Sequence, residues 1–156
     1  MATHTQHISS EPAAIGADDE RRLRLLRWIL AFGIVSTGVH FTHNFVAIDR
    51  YPDDLVSGTV VRVAIVLLWP LFTALAVYAY RLYARHRYRQ AHPLLLAYSF
   101  FALTTLGHFL DGSPDIAPFW FATIFTDALA GLAVLAFTIS SMRSQPAAVQ
   151  RGLASS

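Results

Sequence analysis

The chain contains no cysteine and no lysine, and both absences remove whole classes of chemistry. Without cysteine there are no disulfides, thiolate nucleophiles, iron–sulfur clusters or covalently attached c-type haem groups. Without lysine there is no Schiff-base mechanism, because the guanidinium group of arginine stays protonated and is a poor nucleophile. Charged residues are also few, at 14% of the chain. Any chemistry must therefore use His, Asp, Asn, Tyr and Thr.

Hydrophobic residues make up 54% of the 156 residues. The hydrocarbon core of a bilayer is about 30 Å thick and needs roughly 20 apolar residues to cross it as a helix. Only helices satisfy their own backbone in lipid at such lengths. We therefore predict an all-α, polytopic membrane protein: a four-helix transmembrane bundle at 21–143 between disordered tails at 1–20 and 144–156. Its helices are predicted at about 25–48, 60–80, 93–110 and 116–142.

The positions of the arginines predict the orientation in the membrane. Arginine precedes the first helix, fills the connection between the second and third helices, and follows the fourth. Positive residues are retained on the cytoplasmic side, so we expect both termini to be cytoplasmic in a multi-pass protein of the plasma (inner) membrane. Anionic lipid headgroups account for the sequence pI of about 9.3, so no nucleic-acid partner is expected. The two outer loops carry Asp49, Asp53, Asp54, Asp111 and Asp115.

Polar and ionisable residues occur in the outer half of three predicted helices. The first helix carries His40, His43 and Asn44 at spacings of i, i+3 and i+4, which place them on one helical face. The third carries His108, with Asp111 at its outer end, and the fourth carries Asp127. Each ionisable group at a helix centre costs about 2.5–3.5 kcal/mol on insertion scales, so such groups indicate function by default. We predict that these side chains converge on one buried site.

Several kinds of site would use these residues. His40, His43, His108 and Asp127 could ligate a transition metal such as Fe, Zn or Cu, and His40 with His108 could alternatively hold a b-type haem. Equally, Asp127, His108 and His40 could act as acid/base groups on a small lipophilic molecule entering from the outer leaflet. Asn44, Asp111 and Arg62 would support either site. The sequence does not choose between these cofactors, or establish that the protein is an enzyme.

Two further classes of function remain open. A proton-coupled transporter or proton relay would carry its proton, or another small ion, on Asp127. A non-catalytic subunit or assembly factor of a membrane complex, or a homo-oligomer, would use the polar residues for helix contacts of about 0.6–2 kcal/mol each. The lipid bilayer around the helices is the remaining predicted partner.

Other charged residues have simpler interpretations. Arg62 lies near the outer end of the second helix, where it would pair with Asp49, Asp53 or Asp54 or extend to the headgroups. His86 and His92 lie among the arginines of the second connection, and we expect both side chains to be exposed to solvent.

Three short motifs carry a resemblance to a family. His40-Phe41-x-x-Asn44, then Tyr51-Pro52, then Gly107-His108-Phe109, is similar to a pattern of small bacterial four-helix integral membrane proteins of uncharacterised function. The resemblance implies the four-helix architecture and an outer polar site, but no reaction. In that pattern an acidic residue stands at the position of His43. The arginine-only, alanine-rich composition is similar to that of high-GC actinobacteria and implies a plasma membrane.

Overall fold

A computed structural model describes residues 11–48, 57–110 and 115–154, and these residues form helices joined by short connections. No strand occurs in these three ranges, so the all-α prediction is confirmed. The elements are α1 (Glu11–Val46), α2 (Gly58–Ala84), α3 (Tyr88–Leu103), a 3₁₀ helix (Thr104–Phe109) and α4 (Pro118–Ala154).

Within the described ranges, three helices are long and apolar enough to cross a membrane. They are Gly16–Val46 within α1, Gly58–Ala84, and Pro118–Ser144 within α4. α3 has 16 residues and is shorter than these three. The structure therefore supports a membrane protein with transmembrane helices.

The helices form a ring that follows the order of the chain. α1 packs against α2 and α4, and α3 packs against the same two helices, so α1 and α3 face each other across a diagonal. One end of the bundle contains the starts of α2 and α4 and the ends of α1 and the 3₁₀ helix; we call it the distal end. The opposite end, which contains the α2–α3 connection, we call the proximal end.

The proximal half of the bundle is tightly packed with apolar side chains. Small residues let the backbones approach closely: a Cβ atom on Gly131 of α4 would lie 3.0 Å from the carbonyl oxygen of Ser99 on α3. The Ser99 hydroxyl also donates to the Gly131 carbonyl oxygen over 2.8 Å. The core members that are at most 4% exposed are Leu26, Leu30, Ala76, Ala79, Leu82, Ala91, Leu95, Tyr98 and Val134.

α2 is packed much more tightly in its proximal part than in its distal part. Its buried residues are Ala76, Ala79, Leu82 and Tyr83, all beyond Pro70. Proline has no N–H group, so Pro70 removes one backbone hydrogen bond of the helix and favours a bend there. The distal part of α2 therefore covers the bundle without entering its core.

The third predicted helix differs from the observed one at both ends. We predicted a continuous helix over 93–110, but α3 begins five residues earlier, since the Arg87 carbonyl accepts from the backbone N–H groups of Gln90 and Ala91. The α-helix then ends at Leu103 and continues as the 3₁₀ helix. At this junction the Thr104 hydroxyl donates to the Phe101 carbonyl oxygen over 2.6 Å, and such bonds compete with the regular helical ladder.

The first and last helices extend into the segments that the sequence predicts to be disordered. α1 already includes residues 11–20, and α4 continues through residues 145–154. Both extensions are rich in alanine, the best helix former, and adding residues to an existing helix avoids the cost of nucleation. Residues 1–10 of the predicted first tail and the Tyr51-Pro52 motif lie outside the described residues.

Candidate functional site

One face of α1 brings a stripe of polar side chains into the distal half of the bundle. Ser36, Thr37, His40, His43 and Asn44 are all buried, and His40 is 0% exposed. Their spacing keeps them within one side of the helix, while Val35, Val39, Phe45 and Val46 of α1 are exposed. The apolar side of α1 thus faces outward, and the predicted polar stripe faces the other helices.

His40 and His108 meet across the diagonal of the bundle. The Nε2 atoms of the two rings are 3.3 Å apart, and the ring planes are tilted by 56°. The 3₁₀ helix that replaces the end of α3 carries both His108 and Thr105, whose Oγ1 atom lies 3.3 Å from His40 Nε2. The structure therefore places these two predicted histidines in direct contact.

The hydrogen bonds around Thr123 determine which nitrogen of neutral His40 carries the proton. The Thr123 hydroxyl donates its single hydrogen to the Trp120 carbonyl oxygen over 2.6 Å. Its oxygen, 3.1 Å from His40 Nδ1, must then accept a hydrogen from the ring. In neutral His40 the proton is therefore on Nδ1, and the lone pair is on Nε2, facing His108.

The location of the proton on His40 Nδ1 determines how the Asn44 amide is oriented. Asn44 Nδ2 lies 3.0 Å from His40 Nε2 and 3.3 Å from His108 Nε2, so the amide donates to the His40 lone pair. The other end of the amide, Oδ1, is buried and has no hydrogen-bond partner among the described residues. A buried acceptor without a donor costs about 1–3 kcal/mol, which indicates a place for a molecule that donates a hydrogen bond.

Asp127 enters the same region from α4, closer to the centre of the bundle. It is 2% exposed and accepts a short hydrogen bond from the Ser36 hydroxyl. Ser36 Oγ also lies 2.8 Å from Thr126 Oγ1. Tyr98 of α3 is buried close to α1, where its hydroxyl would lie 2.8 Å from a Cβ atom on Gly33. The glycine therefore leaves the space that the Tyr98 hydroxyl occupies.

The two histidines, Asn44 and Asp127 line one cavity of about 240 Å³. α1, α2 and the α3–3₁₀ segment form its walls, and most of the wall area is apolar. Asp127 is the only acidic residue and no arginine is present among the residues that line this cavity. They are Thr37, His40, Phe41, Asn44, Ile48, Val61, Ala64, Ile65, Leu68, Phe101, Ala102, Thr104, Thr105, His108 and Asp127.

The remaining predicted site residues lie elsewhere. The ring of His43 stacks on Trp120 of α4, with centroids 4.5 Å apart and planes tilted by 15°. Arg62 donates from Nε to the Phe45 carbonyl oxygen near the end of α1 over 3.1 Å. A cation at this position interacts favourably with the helix dipole. Asp111 and the aspartates proposed as partners of Arg62 lie outside the described residues.

The predicted metal-ligand set is only partly brought together. Among the residues that the structure describes, no group of three or more His, Asp or Glu side chains could hold a metal ion. The atoms that do converge are the two Nε2 atoms and the Asn44 amide, at separations of 3.0–3.3 Å. The metal-binding prediction stays a prediction.

A b-type haem does not fit the arrangement of His40 and His108. A haem iron with two histidine ligands lies between the two nitrogen atoms, in the plane of the macrocycle. Here the nitrogen atoms are 3.3 Å apart, which is a hydrogen-bond distance, and Asn44 contacts both of them. No space for the macrocycle remains between the rings.

A second polar cluster lies at the proximal end and was not predicted from the sequence. His92 was expected to be exposed, but it is buried, and its Nε2 atom lies 3.1 Å from Ser141 Oγ. Ser141 Oγ is also 3.0 Å from the Tyr83 hydroxyl. The signal was the spacing of His92, Leu95 and Ser99, which share one helical face.

Comparison of the chain with protein-family models, with curated proteins and with solved structures finds no match in any of the three. None of these comparisons therefore bears on the resemblance to small four-helix membrane proteins.

The tautomer of His40 can be tested by replacing Thr123. In wild-type protein, ¹⁵N–¹H correlation spectra should show neutral His40 protonated at Nδ1. Thr123→Val removes the acceptor, and since a neutral hydrogen bond contributes about 0.5–1.5 kcal/mol, the tautomer ratio should shift about two- to tenfold toward Nε2–H. Thr123→Ser keeps the hydroxyl and should leave the ratio unchanged. Predominant Nε2–H in the wild type would contradict the assignment.

Proposed function

We propose that this chain is a bacterial plasma-membrane protein with four spans, whose distal cavity binds a small lipophilic molecule and exchanges a proton with it. The third span would be α3 together with the 3₁₀ helix. Sixteen α-helical residues rise about 24 Å and six 3₁₀ residues about 12 Å, which together exceed a hydrocarbon core of about 30 Å.

The outward surface of the bundle supports insertion in lipid. Large apolar side chains on the outside of α2 and α4 are at least half exposed, and a protein in water would not leave so many uncovered. Examples are Val60, Val63, Val66, Leu67 and Leu71 on α2, and Phe125, Leu129 and Leu132 on α4. The arginines at the proximal end favour a cytoplasmic location of that end, so the cavity would lie in the outer leaflet.

The absence of cysteine makes the topology directly testable with single cysteines. Gln90→Cys lies in the first turn of α3 and Asp115→Cys follows the 3₁₀ helix, and both native residues are exposed. In intact cells, a membrane-impermeant maleimide should label residue 115 and label residue 90 only after permeabilisation. Labelling of both from outside would contradict a third span, and the reversed result would contradict the orientation.

The observation that carries the proposed chemistry is the lone pair of His40 Nε2, fixed beside the cavity. Thr123 holds the Nδ1 proton, as a catalytic imidazole requires when one defined nitrogen must act as base. His108 Nε2, 3.3 Å away, can share a proton with it. The Asn44 amide donates to this lone pair, so it has to turn to His108 Nε2, 3.3 Å away, before His40 accepts a proton from a bound molecule.

The proposed proton transfer involves only the ligand and side chains around the cavity. His40 Nε2 accepts a proton from the ligand, whose bonding electron pair stays on the ligand as an anion. The ring becomes an imidazolium that pairs with this anion and still donates from Nδ1 to Thr123. The Asp127 carboxylate, which lines the same cavity, offsets the positive charge. His40 and His108 would touch the reacting proton, whereas Thr123 and Asn44 hold the rings in place.

A proton path across the whole membrane has less support. The distal stripe and the proximal His92–Ser141–Tyr83 cluster are separated by the apolar core, in which Leu26, Leu95 and Val134 are 0% exposed. Protons require polar groups or water to move, so this layer favours a site that opens to one side. Asp127 would then act only within the distal cavity, and not in a path across the membrane.

Sharing of one proton by the two imidazoles tests the proposal. In ¹⁵N-histidine-labelled protein in bilayers, His40 and His108 should change protonation together as the pH is lowered, since two charges at 3.3 Å repel each other strongly. His108→Gln should change the pH at which His40 becomes protonated. The control His86→Gln, at an exposed histidine, should not.

Two results would contradict the proposed proton exchange. The first is independent titration of the two rings, with His40 unaffected by His108→Gln. The second is stoichiometric bound metal in the purified wild-type protein that is lost in His108→Gln, because a metal would then occupy the lone pair that proton exchange requires.

A further inference from the structure

The chemistry of the cavity restricts what it can bind, beginning with the direction of the hydrogen bonds. Neutral His40 presents a lone pair at Nε2, and Asn44 Oδ1 has no donor among the described residues. Asp127 adds carboxylate oxygens to the same lining. The site thus keeps a buried acceptor without a donor, so a well-matched ligand brings a hydrogen-bond donor of its own.

Charge restricts the ligand further. No arginine lines the cavity, so a carboxylate or phosphate would meet the Asp127 side chain without a compensating cation. Most of the wall is apolar, formed by residues such as Phe41, Ile65 and Leu68. Transferring any charged molecule into such surroundings is costly. The ligand that fits is neutral.

Size gives the third restriction. The cavity volume of about 240 Å³ lies just below the usual range for ligand pockets of about 300–1,000 Å³. An apolar cavity of about 150 Å³ holds one benzene molecule. A single six-membered ring with one or two small substituents therefore fits.

The packing of α2 indicates the route of entry. Val61, Ala64, Ile65 and Leu68 form the wall on this side, and every buried residue of α2 lies beyond Pro70. This distal part of the helix can move outward without disturbing the tightly packed proximal core. A molecule dissolved in the outer leaflet can then reach the cavity from the side.

We propose that the cavity binds a neutral, single-ring hydroxyl compound of the phenol type, which enters from the lipid past α2 and donates its hydroxyl hydrogen to His40 Nε2. This inference rests on the proposed function, because the phenol hydroxyl is the group that would exchange its proton with the imidazole pair. Asn44 moves its donated hydrogen bond to His108, and the Thr105 hydroxyl turns away from His40 Nε2, which together free the His40 lone pair.

Phenol and toluene are the probes, since they have nearly the same shape and only phenol can donate a hydrogen bond. Protein labelled with ¹⁵N-histidine is placed in nanodiscs, and each probe is added to the same concentration in the lipid. Phenol should shift the His40 Nε2 resonance to saturation. Toluene should leave that resonance essentially unchanged.

Two variants test where phenol binds. Ala64→Phe fills the cavity and should weaken the effect of phenol about tenfold or more, a loss of at least about 1.4 kcal/mol of binding free energy. Val63→Phe adds a ring to the neighbouring residue, which is 55% exposed on the outside of α2, and should bind phenol like the wild type.

Three results would overturn the inference: no saturable phenol shift in the wild type, the same shift with toluene, or equal phenol binding by the Ala64→Phe and Val63→Phe proteins. The first two are measured on wild-type protein, so they decide the matter even if a variant does not fold. Titration of His40 and His108 in the same nanodiscs without phenol separates the two proposals. If the two histidines titrate together but phenol has no effect, only the proposed ligand is refuted. If they titrate independently, the proposed proton exchange is refuted as well.

Discussion

The complete burial of His40 is possible only because both of its ring nitrogens have partners. Thr123 accepts from Nδ1, and Asn44 donates to Nε2, with His108 and Thr105 close by. A polar group buried in apolar surroundings without such partners is expensive, and these partners come from α1, α4 and the 3₁₀ helix. The positions of three elements around the distal cavity are therefore tied to one imidazole ring.

The same constraint explains why the two halves of the bundle differ. The proximal half is held by close-packed apolar side chains and by short backbone approaches such as that of Gly131 to Ser99. The distal half is held by polar contacts around His40 and Asp127, and these leave a cavity beneath α2. Close packing and the cavity thus lie at different ends of the bundle: the tightly packed proximal core supports a distal cavity whose outer wall is lightly packed.

Much of the fold could be predicted from the sequence, because the length of an apolar stretch and the spacing of polar residues are local properties. The stretches around α1, α2 and α4 predict long helices, and the spacing of His40 and Asn44 predicts a shared face. The 3₁₀ helix was not predicted, since it depends on how the Thr104 hydroxyl competes with the backbone. The outer ends of α1 and α4, in alanine-rich segments, are also hard to predict from the sequence. Adding one more residue to an existing helix costs little free energy, so no residue marks a sharp end.

The site could be predicted only as a set of residues. Relative to His40, Asn44 is rotated by about 40° in one direction and His43 by about 60° in the other, at roughly 100° per residue. Asn44 therefore turns toward His108, while His43 turns toward Trp120 on α4. Which neighbour each side chain meets depends on the rotation of the other helices, and no local spacing contains that information. His92 was misjudged for the same reason.

The contact between His40 and His108 supports both the proposed proton exchange and the proposed ligand, and it can be measured in lipid. Magic-angle-spinning NMR on ¹⁵N-histidine-labelled protein in bilayers, with proton-assisted ¹⁵N–¹⁵N transfer, should give a cross-peak between the two Nε2 atoms, at the separation of 3.3 Å. The cross-peaks between Nδ1 and Nε2 within each ring provide the internal control. Observation of these control peaks without any cross-peak between the two rings would contradict the account.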